Sequence, residues 1–155
     1  MENNGDPPRE VIGVRRATVL AALTPDVAST TVLKRAAALA SAIGAELVVV
    51  HVVEPGSGGV SPAVAFAERA AWLREVASTE PASTRGGRVH SVVVAGPTAA
   101  EGILRVARER RAEVVVVGRR RVDVSEDLGG RRTAELVAQA ARCSVLVVDL
   151  EAGSA

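Results

Sequence analysis

The sequence predicts a single-domain α/β protein, an open parallel sheet with helices on both faces. Five short valine-rich runs alternate with four stretches of helical period. Such alternation builds a parallel sheet through right-handed crossovers. The runs are continuously apolar, as strands covered on both sides require. A length of 155 residues suits one domain. At that size roughly 68–70% of the unfolded chain's surface is buried, so a core forms without cross-links.

The elements follow in order. Ala17–Leu23 is the first apolar run. Between Asp26 and Ile43, residues Val32, Ala36, Leu39, Ala40 and Ile43 fall on one helical face. Asp26 is placed to cap that helix, and Gly44 stands where a helix C-terminal glycine belongs. Glu46–Val53 is the second run. The alanine-rich stretch Ser61–Ser78 predicts a helix with Pro62 in its first turn. The third run, Arg88–Ala95, has a more polar start. From Pro97 to Arg111 a stripe of Ala100, Ile103 and Ala107 predicts the third helix. Glu113–Val117 is the fourth run. A helix from about Leu128 to Arg142 carries Ala134, Val137, Ala138 and Ala141, and Val145–Asp149 is the last run. Gly56–Gly59 and Pro81–Gly87 read as loops. Residues 1–15 are expected to be a disordered tail, 16–150 the folded domain and 151–155 a C-terminal tail.

Composition removes several function classes. Net charge is only +1, whereas nucleic-acid binders are usually clearly basic. Phe66 and Trp72 are the only aromatics, so no stacking platform for bases exists. One cysteine excludes an internal disulfide. No apolar run approaches the ~20 residues of a membrane span. Met1–Glu10 is polar, with Pro7 and Pro8, and lacks a signal-peptide stretch. A soluble cytoplasmic protein is expected, with no membrane or nucleic-acid partner.

The chemistry-bearing motifs are sparse. There is no GxxxxGK[ST] loop and no GxGxxG after a strand. The first run ends in Thr24-Pro25-Asp26, without glycine, and Pro25 removes a backbone donor. His51, His90 and Cys143 form no ligand cluster, so no metal site is expected. The histidines read as structural, and Cys143 as a small buried hydrophobe. GxSxG, HxGH and SGGxDS are all absent. No catalytic residue is identified and no enzymatic activity is expected. In parallel α/β folds ligands bind beyond the carboxyl ends of the strands, after Leu23, Val53, Ala95 and Val117. After Val117 the chain runs Gly118-Arg119-Arg120-Arg121, and Arg131-Arg132 follow near the next helix. These arginines either face phosphate or pair with neighbours such as Asp123, Glu126 and Asp127.

Three stretches carry a family resemblance. They are Val19–Leu23 with Ser29, Gly44–Val52, and Ala112–Gly118 followed by Ala134-Glu135 and Cys143–Val148. Gly96-Pro97 before an alanine-rich helix adds to them. Over about residues 17–149 the chain resembles the universal stress protein family. The resemblance implies a five-stranded sheet in the order 3-2-1-4-5 and a ligand cleft between the loops starting at Thr24 and Gly118. It also implies a homodimer joined through the fifth strand, at Val145, Val147 and Asp149. An apolar edge there is a liability unless covered. Members that bind ATP carry an Asp ending the first strand and a G-x2-G-x9-G-[ST] loop after the fourth. The family's ATP-site positions here are Thr24, Val52, Gly118, Arg121, Arg131 and Arg132. Only the first glycine is kept, and arginine side chains stand where backbone must meet phosphate. The expectation is a non-catalytic stress-response homodimer without an ATP cofactor, acting on unidentified protein partners. The alternative is a divergent nucleotide binder that grips phosphates through arginines.

Overall fold

The computed structural model describes residues 16–26, 29–56, 61–80, 89–120 and 128–150, without the side chains of 128–131. The elements are β1 (Thr18–Ala22), α1 (Ser29–Ile43), β2 (Glu46–Val53), α2 (Pro62–Ala77), β3 (Val89–Ala95), α3 (Ala99–Glu109), β4 (Val114–Arg120), α4 (Leu128–Ala140) and β5 (Ser144–Leu150). All strand pairings are parallel, and the sheet order is β3-β2-β1-β4-β5. The loop segments 57–59 and 81–87 and both tails lie outside the described residues, as does Arg121.

Continuous valine and leucine runs are stable here because both faces are covered. Val19, Ala21, Leu47, Val49 and Val116 pack with Val32, Leu33, Ala36 and Ala40 of α1 and Leu73 of α2. Leu20, Val48, Val50, Val115 and Val117 pack with Ala100, Ile103 and Val106 of α3 and Ala134 and Val137 of α4. The period of two divides each strand between the two cores. Ile43 and Ala138 depart from the expected stripes: both are exposed. Ile43 is the last residue of α1.

Helix ends follow local chemistry. Ser61 Oγ accepts from the Val64 amide at 3.3 Å, with Pro62 at N1. Thr98 Oγ1 accepts from the Glu101 amide at 3.2 Å. At the C-terminus of α1 the Ala45 amide reaches the Ala40 carbonyl at 2.8 Å, and Gly44 adopts φ 69°. That is a Schellman motif with glycine in its left-handed position. The end of α3 repeats it: Ala112 to Ala107 at 2.9 Å and Arg111 to Arg108 at 3.2 Å. Here the left-handed residue is Arg111, at φ 52°.

The two motifs make a comparison within one chain. An L-residue in that conformation costs ~1–2 kcal/mol, while glycine's larger unfolded-state entropy returns ~0.4–1 kcal/mol of that. Arg111→Gly should therefore stabilise the fold by up to roughly 1.5 kcal/mol. Chemical denaturation checks this; a lower midpoint would show that the arginine side chain holds the turn.

Candidate functional site

At the carboxyl ends of β1 and β4, where the strand order reverses, the chain surrounds a cavity of about 440 Å³. Leu23, Thr24, Asp26 and Ser29 form one side, and Val117, Gly118, Arg120 and Leu150 the other. Glu54 and Ala99 close a third side.

The β1 end of the cavity is tied down from several directions. The Leu23 amide donates to the Val50 carbonyl at 2.9 Å, extending the ladder past β1. The Leu23 carbonyl lies 2.9 Å from His51 Nδ1. A carbonyl only accepts, so Nδ1 carries the proton. Ser29 Oγ accepts from the Thr24 amide at 3.1 Å and donates to the Thr24 carbonyl. One serine thus satisfies both backbone groups of Thr24.

Thr24 Oγ1 donates to Asp26 Oδ2 at 3.2 Å, and Arg120 NH2 donates to the same oxygen at 2.8 Å. Asp26 was expected as a helix cap; its carboxylate reaches the end of β4. Arg120 was expected in a loop, because the fourth apolar run stops at Val117. β4 instead continues through Arg120, since β5 supplies register partners as far as Leu150. Arg119 pairs with Asp149 at 2.8 Å. These described arginines bond to acids of other segments, Asp149 of β5 and Asp26 in the turn after β1, and not to acids of their own segment. Both pairs are about half exposed, so each is worth only ~0–1 kcal/mol and acts mainly in placement. On the third side, Glu54 Oε2 accepts from the Ala99 amide at 3.0 Å, in the first turn of α3.

The remaining positions named by the resemblance separate. Thr24 and Gly118 line the cavity. Val52 is buried under α3, where a Cβ on Gly102 would lie 2.6 Å from its Cγ2. A Cβ on Gly118 would lie 2.8 Å from Leu150 Cδ1 and 3.0 Å from Val32 Cγ2. Gly118 therefore has a packing reason of its own: β5 and α1 close over it. Arg131 and Arg132 lie in the first turns of α4, and Arg132 is exposed. Val145 and Val147 are half-buried on the α4 side of β5, and Asp149 is exposed. Glu54 escaped sequence reasoning; Asp26, Ser29 and Arg120 were named there, but not as partners around the cleft, because the Arg120–Asp26 and Glu54–Ala99 contacts join distant segments. Only the placement of Asp26 just after a strand end could have suggested a cleft role.

Among the described residues no group of three metal-ligating side chains converges. No helix there is long and apolar enough to cross a membrane. His90 is half-buried on edge strand β3. Cys143 is half-buried too, and its thiol is pushed up, mainly by burial.

His51 is buried, with its ring edge against Trp72 at 5.5 Å between centroids. Burial holds its pKa below the usual histidine value, and Arg69 adds to this. The bond to Leu23 and the nearby Glu54 oppose the shift. Below about pH 6.5 the unfolded chain takes up a proton that folded His51 resists, so stability falls as pH drops from there. His51→Gln should flatten that part of the stability–pH curve. Equal slopes in the two proteins would remove His51 as the cause.

The Universal stress protein family model matches residues 16–149. Curated protein sequences yield no match. A universal stress protein family structure from Burkholderia pseudomallei is similar at 28% identity and TM-score 0.63, covering 85% of this chain and 95% of that one. A universal stress protein solved with cAMP is 23% identical, at TM-score 0.61 and coverages of 86% and 97%. One from Archaeoglobus fulgidus solved with dAMP is 20% identical, at TM-score 0.59 and coverages of 86% and 97%. With the family model spanning the described fold from end to end and the sheet order agreeing, this chain belongs to the universal stress protein family.

Proposed function

We propose that the protein works as a non-catalytic homodimer whose cleft does not take ATP through the family's glycine loop. The observation that carries the reading is that the cleft supplies its own anions. Asp26 occupies the Arg120 guanidinium, and Glu54 occupies the first-turn amide of α3. A triphosphate entering there would meet two carboxylates. Thr24 offers a hydroxyl where ATP-binding relatives place a carboxylate. Leu150 and Val32 press on Gly118, where backbone would have to receive phosphate.

A second reading, the divergent nucleotide binder, draws on the cavity itself. Its ≈ 440 Å³ lies within the ~300–1,000 Å³ of small-molecule sites. Similar proteins were solved with cAMP and dAMP. In that reading Arg120 exchanges Asp26 for a phosphate oxygen, helped by Arg121, Arg131 and Arg132.

Thermal melting separates the two. Millimolar ATP with Mg²⁺, or cAMP, should leave the melting temperature unchanged. Ligand at 100 times its dissociation constant would add about 2.7 kcal/mol, a plain shift for a domain this size. If a shift appears, Arg121→Gly with Arg131→Gly and Arg132→Ser settles its origin. Weaker binding in that variant supports the arginine grip; stronger binding means the side chains obstruct.

For the dimer, the support is β5 itself, an edge strand with Leu146 37% exposed and Leu136 of α4 39% exposed. Sedimentation should give a dimer at tens of micromolar. Leu146→Glu, on the exposed position, and Val147→Lys, at the seam, should both shift it toward monomer. A wild-type monomer would end the reading.

A further inference from the structure

A second cavity lies at the opposite end of the sheet, where the chain enters β4 and β5. Its volume is about 290 Å³, just under the ~300–1,000 Å³ of ordinary ligand sites. Leu104, Ala107 and Ala141 contribute an apolar floor. Arg108, Arg111 and Arg142 stand around it, all exposed. Among the described residues none of the three guanidiniums is in an ion pair, unlike Arg119 and Arg120.

Helix chemistry accounts for part of this. A cation in the last turn of α3 suits the helix dipole, which covers Arg108. It does not cover Arg111, which bears a left-handed φ that Gly44 meets without strain at the equivalent point of α1. Nor does it cover Arg142, brought in from beyond α4. Three cations from two segments thus converge on one apolar hollow.

We propose that this cavity binds a small amphipathic anion, with an alkyl or aryl body against the floor and its carboxylate or sulfonate held by Arg108, Arg111 and Arg142. Guanidiniums grip such oxygens in pairs. The proposal is independent of what the cleft does.

Cys143, the only cysteine, lies on the cavity wall and reports occupancy. Its alkylation by neutral N-ethylmaleimide should slow saturably as octanoate is added. Octanol, with the same body and no charge, should protect about tenfold less well, the scale of one charge-assisted hydrogen bond. Added salt should weaken the octanoate effect, since the arginines are exposed. Arg108→Gln with Arg142→Gln should abolish it. Arg111→Gly guards against misfolding as the cause, because it should melt higher than wild type yet bind octanoate about tenfold more weakly. A purely structural Arg111 would not separate those two readings. Equal protection by octanol and octanoate, no protection at all, or wild-type affinity in Arg111→Gly would overturn the proposal.

Discussion

The structure depends on one constraint, the burial of three adjacent parallel strands on both faces. Val19, Leu20 and Ala21 of β1, Leu47 to Val50 of β2 and Val115 to Val117 of β4 are almost wholly withdrawn from water. Such a sheet has no wall that could carry charge, because an unpaired buried charge is too costly. Polar chemistry is displaced to the strand ends. The cleft beyond β1 and β4 and the cavity where the chain enters β4 and β5 lie there, at opposite ends of the sheet.

At the carboxyl end, the reversal of strand order parts α1 from α3 and opens the cleft. Its geometry is held by short-range ties and not by strong ones. His51 and Ser29 anchor the backbone at Leu23 and Thr24. Asp26 and Arg120 then join β1 to β4 across the opening. A half-exposed ion pair adds little stability, so its consequence is electrostatic. It fixes a carboxylate in the space where anionic ligands would approach. Glu54 does the same beside α3. The cleft therefore carries two carboxylates, from Asp26 and Glu54, on its lining.

The end of β4 follows the same logic. Gly118 has a packing role whatever the site binds, because a Cβ there would collide with Leu150 of β5 and Val32 of α1. Extension of β4 to Arg120 gives β5 a full-length partner, and Arg119 closes that ladder on Asp149. Arg119 and Arg120 thus belong to the sheet.

The fold was legible in the sequence because it rests on local patterns. Strand-length valine runs, helical stripes such as Val32-Ala36-Ala40, and the markers Gly44 and Pro62 each report on a few neighbouring residues. The place of the cleft was legible as well, through the family resemblance and the general rule for strand ends. Its content was not. Asp26 and Arg120 are 94 positions apart, and each alone resembles an ordinary helix cap or loop charge. The β4 boundary was missed because Arg119 and Arg120 are polar, and only pairing with β5 makes them strand. Arg111 and Arg142 look like unrelated surface cations until α3 and α4 end side by side. Hydrophobic period is a property of one segment, so sequence alone determined it. Partnership between charges depends on which segment ends meet, and only tertiary packing decided that.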